Sequence, residues 1–135
     1  MSLGLYLHIP YCFSKCRYCD FYSHPGERGV PEAYVDALLR ELDRFAPEAP
    51  LQPDTLYFGG GTPSLLRPEQ AKRLIEAARP MPGAEITLEA NPETVTEESL
   101  AGFREAGVNR ISFGVQSARD TQLRTLGRPH TAKQA

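Results

Sequence analysis

The chain has 135 residues, with 15 Lys and Arg against 17 Asp and Glu, a formal charge of −2, and 41% hydrophobic residues. That bounds it to one domain, or part of one, with an ordinary apolar core. No Lys/Arg run advertises a nucleic-acid face, so no nucleic-acid partner is expected, and no apolar run is long enough to span a bilayer.

Leu5-Tyr6-Leu7-His8-Ile9 reads as a short strand stopped by Pro10, and it runs at once into Cys12-Phe13-Ser14-Lys15-Cys16-Arg17-Tyr18-Cys19. All three cysteines of the chain sit here, spaced C-x3-C-x2-C. Thiolates converging from one short polar loop suit zinc, Cu(I) or an iron–sulfur cluster. Three are one short of a closed four-thiolate zinc site, whereas a cubane held by three would keep one iron open to a small ligand. The spacing leaves three readings: such a cluster, a Cys3His zinc site completed by His8 or His24, or free thiols that happen to lie close together. A disulfide framework is not expected, because the count is odd and Met1-Ser2-Leu3-Gly4 leads straight into the first apolar segment without a secretory pattern. The expected compartment is reducing, hence cytoplasmic.

A helix is expected from Pro31 to Phe45, with Pro31 at the first helical position and Tyr34, Leu38, Leu42 and Phe45 on one face. Pro47, Pro50 and Pro53 then break the chain before a second strand, Thr55-Leu56-Tyr57-Phe58, which enters Gly59-Gly60-Gly61-Thr62-Pro63-Ser64. Pro68 to Ala78 gives a second helix and Glu85 to Glu89 a third strand, followed by the turn Asn91-Pro92. A third helix covers Glu97 to Ala106, started by a Thr94/Glu97 capping box or by Thr96, and ended by Gly107. Asn109 to Val115 reads as a fourth strand, and Asp120 to Leu126 opens a fourth helix. Strands alternating with helices predict parallel βαβ units and an α/β fold.

The polar stretches all fall at the carboxyl ends of successive strands: the cysteine loop, Gly59 to Ser64, Glu89-Ala90-Asn91-Pro92 and Gln116-Ser117. Parallel sheets and barrels bind ligands at that edge. The glycine run is neither a P-loop nor G-x-G-x-x-G, since no Lys-Ser/Thr follows and Ser64 takes the last glycine's place. It serves either as a tight turn or as backbone brought close to a ligand. Glu89 is either a surface carboxylate or a partner for an amine or ribose hydroxyl. Gln116 is a loop hydrogen-bonder or a ligand contact, Arg128 a solvated charge or a ligand contact, and Tyr6 core packing or a ligand contact. His8 is left without a role.

These stretches together resemble the radical S-adenosylmethionine (SAM) proteins, and within them the oxygen-independent coproporphyrinogen III oxidase group. The resemblance rests on Tyr6-Leu7-His8-Ile9-Pro10-Tyr11-Cys12, the cysteine loop, Phe58 to Ser64, Glu89 to Pro92, Gly114-Val115-Gln116-Ser117 and Leu126-Gly127-Arg128-Pro129-His130, in order along nearly the whole chain. It implies a [4Fe-4S] cluster on Cys12, Cys16 and Cys19, with SAM chelating the open iron. The positions matching the family's SAM contacts are Tyr6, Tyr18, Gly60, Gly61, Thr62, Glu89, Gln116 and Arg128. It also implies a partial (βα)6 barrel, of which four parallel strands with their helices are present. Residues 1–135 would then be an incomplete radical SAM domain, with the rest of the barrel and a C-terminal domain lying outside this sequence. An electron donor for the cluster is a further expected partner.

One departure bears on function. The decarboxylating enzymes of the group carry a further cysteine two residues after the third, and here that position is Phe21. Cys19-Asp20-Phe21-Tyr22 resembles instead the HemW-type relatives, which bind haem and act in its trafficking. The expectation is a haem-binding radical SAM protein, with coproporphyrinogen III oxidase as the alternative and action on another substrate, such as tRNA, as a third class.

Overall fold

The structure, a computed structural model, describes residues 2–12, 24–25, 29–45 and 50–135. Four strands form one parallel sheet: β1 (Gly4–Ile9), β4 (Thr55–Gly60), β5 (Glu85–Ala90) and β6 (Arg110–Phe113), in the order β1-β4-β5-β6. A two-residue parallel ladder, β2 (Tyr11–Cys12) with β3 (His24–Pro25), stands at the exit of β1. Between the main strands run α1 (Glu32–Phe45), α2 (Pro68–Ala78) and α3 (Glu97–Ala106), and α4 (Asp120–Thr125) follows β6. Each strand thus pairs with the next main strand in the chain, as expected of consecutive βαβ units.

The alternation along each strand divides the sheet into two faces. Leu7 and Ile9, Leu56 and Phe58, and Ile86 and Leu88 are buried together with Leu42, Leu74, Ile75 and Phe103 of the helices. The intervening positions carry Tyr6, His8, Tyr57 and Glu89. Tyr6 pairs with Tyr57 in register, His8 with Gly59, and Glu89 with Ser112. One face therefore builds the core under the helices, and the other presents aromatic, imidazole and carboxylate groups. In a closed barrel that second face is the interior.

Local chemistry explains the element boundaries. Pro31 lies just outside α1, its carbonyl accepting from the amides of Tyr34 and Val35. The buried stripe of α1 is Val35 and Leu42, flanked by Tyr34, Leu38 and Leu39. Phe45, expected on that stripe, is 73% exposed at the helix end. Gln70 on α2 is a buried amide with its groups satisfied: it donates to the Val30 carbonyl (3.0 Å) and to Glu32 Oε1 (2.9 Å), and accepts from the Arg67 amide (2.9 Å). Arg73 bridges Glu32 and Asp36, each at 2.8 Å, and Arg67 also meets Glu32. Those bonds hold the Glu32 carboxyl below the usual carboxylate range, the Arg73 hydrogen bond being the main cause.

Thr96 caps α3, exchanging hydrogen bonds with Ser99 (3.1 and 2.9 Å). Thr94 does not pair with Glu97. It closes a 3-10 turn (Pro92–Thr94) by donating its hydroxyl to the Asn91 carbonyl (2.8 Å). Gly107 ends the helix at φ 119°, with the Val108 amide returning to the Phe103 carbonyl (3.0 Å). The fourth strand is shorter than its apolar pattern. Asn109 stands before it, its side chain accepting from the Ile86 amide (2.8 Å) and donating to the Ala84 carbonyl (2.9 Å). After Phe113, the Gly114 amide still reaches Ala90 O (2.9 Å), and the chain then turns at Gln116, whose φ is 70°. Among the described residues no helix is long and apolar enough to cross a membrane.

The hydroxyl of Tyr34 donates to the His8 carbonyl at 2.5 Å, and its ring packs edge-on against Tyr11 (5.3 Å). Burial raises this phenol above the ordinary tyrosine pKa, so it stays a donor at neutral pH. Tyr34→Phe removes only the hydroxyl and leaves the His8 carbonyl short of a partner. It is expected to cost about 1–2 kcal/mol of stability, read by denaturant unfolding. A loss below a few tenths of a kcal/mol would show that solvent replaces this bond.

Candidate functional site at the carboxyl edge

The exits of the four main strands meet along one edge. At the first, Cys12 is buried at 5% exposure, directly after β1. The turn after β4 is fastened to it: the Gly61 amide donates to the Ile9 carbonyl (2.8 Å) and the Thr62 amide to the Tyr11 carbonyl (2.7 Å). This approach leaves no room for side chains. A Cβ at Gly61 would lie 2.6 Å from Tyr11 O and 2.9 Å from Cys12 Sγ. Gly60 has φ 117°, and a Cβ there would lie 2.6 Å from the His8 ring. Gly60 and Gly61 are thus required by the first strand's exit, whatever ligand lies beyond it.

Glu89, at the end of β5, has both oxygens engaged. Oε1 accepts from the Tyr57 hydroxyl (2.7 Å) and Oε2 from the Gly60 amide (3.2 Å). Tyr6, 54% exposed, stacks on Tyr57 with ring centroids 6.0 Å apart and donates to or accepts from His8 Nδ1 at 3.0 Å. Tyr6 is therefore not core packing. Both phenols titrate above the ordinary tyrosine value, chiefly through burial, with Glu89 adding to the effect. His8, left without a role by its sequence context, lies between Tyr6 and Gly60.

A second cluster ties the later exits together. Asn91 donates from Nδ2 to Thr62 Oγ1 (3.2 Å) and accepts at Oδ1 from Arg128 Nη2 (2.8 Å), which also donates to the Gly114 carbonyl (2.6 Å). Ser64 and Thr94 share a hydroxyl hydrogen bond of 2.5 Å. His130 bridges Glu93 Oε2 and the Val115 carbonyl, both at 3.0 Å. Arg128 is 7% exposed, so it is not a solvated charge. The structure therefore brings Cys12, Tyr6, Gly60, Gly61, Thr62, Glu89, Gln116 and Arg128 to one edge. Cys16, Tyr18, Cys19 and Phe21 lie outside the described residues. Sequence reasoning missed Tyr57 and His130 as parts of this edge, and it placed Asn91 there without foreseeing its bonds to Thr62 and Arg128. The polar alternation of Tyr6-His8 and Tyr57 with apolar partners was a usable signal for the first, whereas the long-range bonds of the other two have no local signature.

A parallel α/β sheet whose first strand leads in sequence into three closely spaced cysteines, and whose second ends in a glycine turn, has the layout of a cofactor-binding class. A family model described as "Radical SAM superfamily" matches residues 6–135, and the chain belongs to that superfamily. The superfamily in general implies SAM and a [4Fe-4S] cluster. Among similar proteins, "Heme chaperone HemW" of Escherichia coli (strain K12) is 45% identical over 139 residues, covering 98% of this chain and 37% of that protein. The bovine "Radical S-adenosyl methionine domain-containing protein 1, mitochondrial" is 42% identical, covering 98% of this chain and 31% of its own length. A solved structure, "Coproporphyrinogen III oxidase (HemN) from Escherichia coli is a Radical SAM enzyme", superposes with TM-score 0.87 and 31% identity, covering 98% of this chain and 32% of that one. The chain thus spans about a third of the length of the curated relatives it matches, and the observed sheet corresponds to the N-terminal portion of the radical SAM barrel.

Proposed function

We propose that the protein to which this chain belongs is a cytoplasmic haem-binding radical SAM protein that acts in haem trafficking. In this reading residues 1–135 are an incomplete radical SAM domain, with the remaining barrel and a C-terminal domain outside them. Cys12, Cys16 and Cys19 hold a [4Fe-4S] cluster, and Tyr6, Tyr18, Gly60, Gly61, Thr62, Glu89, Gln116 and Arg128 contact SAM. The described donors fit these groups: Cys12 offers a buried soft ligand at the edge, and Glu89 a fixed carboxylate for an amine or ribose hydroxyl. The cluster, when bound, supplies one electron to the SAM sulfonium, for which a separate electron donor is required. The protein's own residues orient the cofactor, with the Thr62–Asn91–Arg128 chain keeping three strand exits in fixed relation.

The observation that carries the haem reading is Phe21, an apolar ring where the decarboxylating group has a cysteine. It supplies no thiol for ligation, proton transfer or redox chemistry. The similarity to proteins named heme chaperone supports the same choice. The likeness to the HemN structure favours the alternative, coproporphyrinogen III oxidase. The deciding test uses the full-length protein, reconstituted without oxygen. Titration followed by haem absorbance should reach a defined stoichiometry. Chromatography after incubation with coproporphyrinogen III, SAM and a reductant should show no decarboxylated product. Multiple turnovers to the divinyl product would restore the oxidase reading, and absence of both activities would remove both.

A further inference from the structure

We propose that Tyr57 is a positioning residue for the Glu89 carboxylate, the two acting as one unit in holding the amine or ribose hydroxyl of SAM at the carboxyl edge. The inference rests on the SAM-binding reading above and adds to it a residue outside the family-derived set. Glu89 ends a strand, where a carboxylate with free torsions would sample several rotamers. Here one oxygen is held by the Tyr57 hydroxyl (2.7 Å) and the other by the Gly60 amide (3.2 Å), which together fix its plane. Each oxygen keeps lone-pair capacity for one further donor, so the fixed carboxylate remains competent to accept from a ligand.

Tyr57 is itself held in place. Its ring stacks on Tyr6 at 6.0 Å with an interplanar angle of 19°, and Tyr6 is tied in turn to His8. The stack depends on Gly59, where a Cβ would lie 2.7 Å from the Tyr6 ring and 2.9 Å from that of Tyr57. The first glycine of the run thus serves the phenol, the second and third the exit of β1. Ser112 stands opposite Glu89 in register on the neighbouring strand. Burial and the Glu89 hydrogen bond raise the Tyr57 pKa, so the phenol remains a donor through neutral pH.

The test is a double-mutant cycle in the full-length, cluster-loaded protein, with SAM binding followed by calorimetry and cluster content by iron analysis. Tyr57→Phe removes one hydroxyl and should weaken SAM binding about tenfold, as 1.4 kcal/mol corresponds to a factor of ten. Glu89→Gln should weaken it at least as much, and the double variant no more than Glu89→Gln alone, with iron unchanged throughout. Full additivity, or unchanged affinity in Tyr57→Phe while Glu89→Gln binds weakly, would overturn the positioning role and leave the SAM site standing. Unchanged affinity in both variants would remove Glu89 from the SAM site, and this inference with it. A second readout needs no Tyr57 substitution for its outcome. Phenolate absorbance should show a high-titrating tyrosine moving to lower pH in Glu89→Gln, a shift that packing alone would not produce. A phenol titration curve unmoved by Glu89→Gln would also overturn the proposal.

Discussion

Replacing Cys12, Cys16 or Cys19 singly by alanine is expected to abolish the cluster altogether. The unmutated full-length protein, reconstituted without oxygen, should hold about four irons and four sulfides, because three thiolates suffice for one cubane. The loop contains every cysteine in the chain, so no fourth thiol of this sequence stands ready to substitute for a lost one. Cys12 is held in place by the fold itself: it is buried, and the Gly61 and Thr62 amides donate to the Ile9 and Tyr11 carbonyls just before it. A lost sulfur there leaves an apolar gap that alanine does not fill with a ligand. Iron and sulfide analysis, with the cluster's visible absorbance, reads the result. Stoichiometric zinc without sulfide would replace the cluster with a Cys3His site.

Gly61→Val should be the most damaging single change in the glycine turn. Its Cβ would enter space held by a backbone carbonyl at 2.6 Å, which cannot swing aside, and would also crowd the Cys12 sulfur at 2.9 Å. The first strand's exit must shift, so the variant should lose cluster occupancy and at least tenfold in SAM affinity together, the latter about 1.4 kcal/mol. Gly60→Val differs in kind. It strains a backbone at φ 117° and meets the His8 ring, so SAM affinity should fall about tenfold while the cluster survives. Calorimetry beside iron analysis separates the two. Unchanged affinity in folded variants would return the stretch to a simple turn.

The fold was legible where side chains alternate. Leu7-Ile9, Leu56-Phe58 and Ile86-Leu88 mark their strands because one face must be buried, and the polar stretches after them then fall on one edge without further assumption. Boundaries were less legible because they depend on bonds between distant residues. The expected fourth strand ran to Val115, but pairing stops at Phe113, where the carbonyl of Gly114 is taken by Arg128. The capping of α3 turned on which of two threonines was already engaged, and Thr94 was committed to Asn91. On α1 the expected Tyr34, Leu38 and Leu42 pack on the core, joined by the buried Val35, whereas Phe45 lies exposed at the helix end. Site residues read from the family pattern lie together where described, yet the bonds by which Tyr57 and Asn91 hold them join separate strands and cannot be read from a local window.

The Thr62–Asn91–Arg128 chain also has a consequence for synthesis. Its bonds join residues 29 and 37 positions apart, and its last member is Arg128. A ribosome adding about 5–20 residues per second delivers that guanidinium on the order of ten seconds after Cys12. For that interval the nascent chain carries its thiols beside an edge whose later walls have not been translated. Metal delivered in that interval would meet Cys12 at an edge not yet joined by the bonds of Asn91 and Arg128. Loading after release from the ribosome follows as the safer order, with the arginine as the closing bolt.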